Sequence, residues 1–177
     1  MTEQNLCDLF RSLPLISSHT HHNPNVHQAP MGLAQILSNS YAGWCGQPVG
    51  NTPQEHEQYL DHLQTNTYFV WLSRAISFIY GQGEVSLDNW DNLDLAMQLA
   101  HNDSEHPYRI LKDFCRLEFD VIDVYWNPGD DLGRPEIFYP SYRINSWVMC
   151  PGPGFEDHNN TSPWNTVGFA PKNLSEY

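Results

Sequence analysis

Leu13-Pro14-Leu15-Ile16-Ser17-Ser18-His19-Thr20-His21-His22-Asn23-Pro24 joins an apolar run to a His-x-His pair and then to a proline-containing loop. Upstream, Leu6, Leu9 and Phe10 recur at helical spacing, so residues 3–11 read as an amphipathic helix. Pro14 breaks that helix, and residues 13–18 have the length and character of a strand. Side chains two apart on a strand share a face, so His19 and His21 are expected to aim both imidazoles at one point.

Two further segments have strand character. Residues 119–126 (FDVIDVYW) and 143–149 (RINSWVM) are dense in β-branched and aromatic residues. Between the first two strands the pattern is helical. Pro53 followed by Gln54, Glu55 and Glu57 suits a first helical turn. Residues 67–80 are apolar almost all round, which predicts a buried helix ended by Gly81 and Gly83. Ser86 is positioned to cap a helix running to about His101, and Tyr108 to Arg116 reads as a short helix. Residues 41–53 read as irregular.

Strands far apart, with helices between, predict an α/β fold with a parallel sheet. Strands 13–18 and 119–126 are expected side by side, with His19 and His21 at the same end as Trp126. Three strands do not close a barrel, and a full (β/α)8 barrel needs at least ~200 residues. The expectation is therefore a single domain over 1–177, the N-terminal part of a truncated barrel. It would carry an unpaired sheet edge and a helical insertion over 25–117.

The 177 residues include 21 acidic and 8 basic side chains, a formal charge of −13. Phosphate binding needs clustered Lys and Arg, so this balance argues against nucleic acid and anionic membrane surfaces. No apolar run approaches the ~20 residues of a membrane helix, and the N-terminus lacks the pattern of a signal peptide. Cys7, Cys45, Cys115 and Cys150 are widely spaced without CxxC, which suits a reducing, cytoplasmic compartment and neither a disulfide scaffold nor a structural zinc site.

His19 and His21 are the candidate metal ligands, because two neutral imidazoles on one face can share a divalent ion. The alternative for a bare His-x-His is an ordinary surface cluster. His22 points the other way and reads as solvated, and His27 lies in the following loop. Asp123 shares a strand face with Val121 and Tyr125 and is a candidate to look into the site, or else a buried hydrogen-bonded acid. Arg143 is a candidate for a substrate carboxylate or for an ion pair. Trp126 and Trp147 are candidates to line a sugar-sized pocket, or core residues. Asp130 and Asp131 read as a solvated turn.

The segment through His19 and His21 resembles the opening strand of the amidohydrolase superfamily, although Ser17 stands where an Asp is common. Within it the chain is most similar to the branch of amidohydrolase-related proteins and uronate isomerases, which carry a helix-rich insertion after the first strand. Residues 108–129 resemble a second helix–strand unit, and residues 138–144 also fit. The resemblance implies a (β/α)8 barrel with His19 and His21 on a divalent metal, zinc first, manganese or iron otherwise. Arg143, Trp126 and Asp123 would lie toward a small polar substrate such as a sugar acid. It implies a hydrolase or an aldose–ketose isomerase, with further ligands from later strands. The alternative is a non-catalytic fragment or small binding module without a complete site.

Overall fold

The computed structural model describes residues 3–21, 31–124 and 129–143, with Val148, Cys150, residues 154–156, Ser162, Trp164, Gly168, Asn173 and Ser175. Trp126, Trp147, His22, His27 and most of the strand expected at 143–149 lie outside the described residues. The protein is mixed α/β, with a parallel three-stranded sheet and six α-helices among the described residues. It divides into two compact units, Met1–Pro24 with Cys115–Tyr177, and Asn25–Phe114. No described helix is long and apolar enough to cross a membrane.

The first unit holds α1 (Glu3–Ser12), β1 (Leu15–Thr20), β2 (Leu117–Ile122) and β3 (Phe138–Pro140), with β2 central. β1 starts after Pro14, later than the apolar run suggests, and its first amide, on Leu15, donates to the Arg116 carbonyl at 3.1 Å. β1 and β2 pair in parallel, as their separation in sequence predicts. The register slips by one between Ser17 and Thr20, where β1 takes three steps to the two of β2. Such a slip bends a strand and re-aims its side chains, here around His19. Among the described residues the third strand is Phe138–Pro140, and Arg143 lies beyond it in non-strand backbone. Its position follows from pairing: the Asp120 amide donates to the Ile137 carbonyl and the Ser141 amide to the Ile122 carbonyl, each at 2.8 Å.

The second unit is helical: α2 (Leu33–Asn39), a 3-10 turn (Tyr41–Cys45), α3 (Pro53–Leu63), α4 (Thr67–Tyr80), α5 (Trp90–His101), α6 (His106–Arg109) and a π-helical turn (Ile110–Phe114). Its core is built on Leu33, Leu37, Tyr59, Leu63, Leu93 and Met97, all fully buried. α3 opens as its sequence predicts. Thr52 and Glu55 form a reciprocal capping box around Pro53. The Asn51 amide, then the Thr52 hydroxyl and amide, donate to the Glu55 carboxylate and hold it below its ordinary pKa.

Three helical expectations are corrected. α5 begins at Trp90 and not near Ser86. The Ser86 amide and hydroxyl both donate to Asn89 Oδ1, at 2.9 and 3.0 Å, which closes a side-chain turn ahead of the helix. The helix expected at 108–116 starts at His106 and widens into the π turn. α4 spans the expected residues and ends at Gly81, in the left-handed region at φ 69°, with Asn66 as its N-cap, yet it is only half buried. Phe69, Ser73 and Ile76 face the core, while Tyr68, Trp71 and Phe78 face outward.

Candidate metal centre

The sheet brings its chemistry together at the carboxyl ends of β1 and β2. The Asp123 amide donates to the Thr20 carbonyl at 2.9 Å and extends the pairing one step past β2. That places Asp123 beside His19, near the end of β1, and His21, just past it. A metal-ligating atom from each of these three residues lies within 4.8 Å of the others. The two imidazole Nε2 atoms are 3.0 Å apart, with the rings edge to face.

The hydrogen bonds assign the tautomers. His21 Nδ1 is 3.0 Å from the Asp123 carbonyl oxygen, which can only accept, so Nδ1 carries the proton. Neutral His21 therefore presents a lone pair at Nε2, and the short contact requires His19 to donate its Nε2–H. A backbone carbonyl holding the far nitrogen of an imidazole is the arrangement that orients ligand histidines in metal sites. Asp123 is buried and receives Arg143 Nε at 2.5 Å. The guanidinium thus supplies the positive partner that a buried carboxylate requires.

The donor set fits a divalent ion. Two nitrogens at ~2.0–2.1 Å from a tetrahedral ion stand ~3.4 Å apart, so the observed gap has to open by only a few tenths of an ångström. Loading the pair requires His19 to give up its Nε2 proton, by deprotonation or by moving it to Nδ1. One carboxylate beside two imidazoles is a mixed N/O set that zinc, manganese and iron all accept.

Of the residues singled out in sequence, His19, His21, Asp123 and Arg143 converge here. Asp123, read as substrate-facing, lies with the histidines, and Arg143 is its ion-pair partner across 20 residues. Trp126 lies outside the described residues. Thr20, one step from His19 along the strand, points to the opposite face and donates to Asp120 Oδ2 at 2.6 Å. Asp120 is buried, its Oδ1 has no hydrogen-bond partner among the described residues, and it does not join the cluster. The Thr20–Asp120 pair carries no local sequence signal, because the partners are 100 residues apart.

Comparison with family models, with curated proteins and with solved structures returns no match.

Proposed function

We propose that the chain is the N-terminal part of a metal-dependent enzyme similar to the amidohydrolase superfamily, built on a (β/α)8 barrel. It would be a hydrolase or a uronate isomerase-like enzyme acting on a small polar substrate such as a sugar acid. The observation that carries this reading is the convergence of His19, His21 and Asp123 within 4.8 Å at the carboxyl end of a parallel sheet. Active sites of α/β barrels and open α/β sheets are built at that end.

His19 and His21 would hold the ion, with zinc the first choice. When bound, a divalent ion lowers the pKa of a coordinated water toward ~7 and polarises a substrate oxygen. The chain's own residues do the positioning. The Asp123 carbonyl fixes the His21 ring so that Nε2 faces the site. Arg143 fixes the Asp123 carboxylate, and its Nε–H is taken by that bond. A second reading rests on the sheet itself: the three parallel strands among the described residues do not enclose a barrel. On that reading the chain is a non-catalytic fragment or small binding module without a complete site.

Elemental analysis of the 177-residue chain equilibrated with zinc tests the proposal. The expected result is about one ion per chain, lost in the His19→Ala, His21→Ala double variant with the circular dichroism spectrum retained. A chain that takes up no ion supports the second reading, and a double variant that keeps the ion overturns the assignment of His19 and His21 as its ligands.

A further inference from the structure

The outward face of α4 carries Tyr68, Trp71, Ala75 and Phe78, at steps of three, four and three. These are the a and d positions of two heptads, the narrow seam of a coiled coil and not the wider stripe of a helix lying on a core. The core-facing stripe of the same helix is separate, at Phe69, Ser73 and Ile76. The seam is open: Tyr68 is 62% exposed, Trp71 63% and Phe78 73%.

Aromatic neighbours extend the seam at both ends. Tyr41, 50% exposed, lies 5.2 Å from Tyr68 by ring centroid and 4.8 Å from Trp44, which is 80% exposed. At the other end Phe78 meets Phe114 edge to face at 5.6 Å. A buried aromatic covers ~150–250 Å², so the five rings from Tyr41 to Phe78 leave on the order of 650 Å² open at these exposures. A standard interface takes ~800 Å² from each partner.

We propose that this seam is the interface of a homodimer in which α4 packs antiparallel on α4 of a second copy about a two-fold axis. The pattern is self-complementary in that sense and in no parallel arrangement. A two-fold level with residue 73 sets Trp71 against Ala75 of the partner, large against small. It sets Tyr68 against Phe78, and the end bearing Tyr41 and Trp44 against the end bearing Phe114. An isologous interface has this property, residue i meeting j while j meets i. α4 contains no acidic residue, and its one charged side chain, Arg74, lies 5.0 Å over the Trp71 ring. In a chain of charge −13 this is a surface on which two copies approach with little like-charge repulsion.

Sedimentation equilibrium of the full chain across the micromolar range tests the proposal, with circular dichroism to report folding. The expected result is a dimer, which Trp71→Glu weakens by about a hundredfold or more while the spectrum stays unchanged, because the side chain is exposed in each copy. Trp71→Ala and Ala75→Trp are each expected to weaken association, and the double variant to restore it by exchanging the large and small partners. A chain that remains monomeric, whether or not it binds zwitterionic lipid vesicles, overturns the proposal. So does a dimer that Trp71→Glu leaves intact, and a double variant that fails to recover overturns the antiparallel pairing.

Discussion

The backbone carbonyl of Asp123 accepts the Nδ1–H of His21 at 3.0 Å, across 102 residues of chain. One bond thereby fixes the tautomer of an exposed histidine and leaves its other nitrogen as a lone pair facing His19.

Zinc uptake should depend on both histidines and on the arginine that positions the Asp123 carboxylate. His19→Ala and His21→Ala are each expected to lower affinity by on the order of a hundredfold or more. Arg143→Ala, which leaves the donors but frees the carboxylate, should lower it by ~10–100-fold. Competition titration with a chromophoric chelator measures all three. Uptake should also release protons, since a ligating imidazole must be neutral, and weaken as pH falls.

Arg143 should matter to stability apart from any ion. Its removal leaves the Asp123 carboxylate buried without its partner, a loss of about 3 kcal/mol in urea unfolding of the metal-free chain. Adding Asp123→Asn to Arg143→Ala should recover part of it. A double variant no more stable than Arg143→Ala would show that the unpaired charge is not the cause.

The helical unit should lose stability in mild acid. Tyr80 Oη lies 3.3 Å from His101 Nε2 and 3.2 Å from His106 Nε2. The one hydroxyl proton serves one ring, which must be neutral to accept it, and the other ring donates its Nε2–H to the phenol oxygen. Burial lowers the pKa of His101, and the neighbouring His106 adds to it. Burial also lowers His106, assisted by Arg109 and opposed by Asp103. Burial pushes Tyr80 up to about 12, so it stays a neutral phenol throughout this range. Both histidines bind protons more readily in the unfolded chain. Their contribution is complete above the unfolded value of 6.5 and is lost as pH falls below it. Urea midpoints between neutral pH and pH 5 should therefore fall with acid, and less steeply in His101→Gln, His106→Gln.

The start of α2 should be sensitive to a residue in another helix. Asp94 of α5 accepts the Leu33 amide at 2.7 Å, acting as a cap for α2. Asp94→Ala should cost about 1 kcal/mol. Gly32→Ala should cost at least as much, since a Cβ there would overlap the Asp94 carboxylate. Thermal unfolding of the two variants measures both.

Features set by near neighbours were legible in advance. The α3 start follows from Pro53 and the acids after it, and the end of α4 from Gly81, because these signals act within one turn. Ser86 misled for the same local reason. Asn89, three residues on, captures both of its donors, and nothing in the spacing of apolar residues reveals that competition. α4 misled differently: apolar residues on every side predicted burial, yet only one stripe meets the core. Composition reports that a face is apolar and not what covers it.

The sequence by itself determined the parallel α/β character and the same-side placement of His19 and His21. Strand periodicity and helical crossovers are written in residues close together. Only the tertiary structure decided that Asp123 joins the histidines, that Arg143 pairs with Asp123, and that α4 keeps an open seam. Each of these depends on strand register and on which surfaces meet, and those are settled by contacts between segments that are distant in the chain.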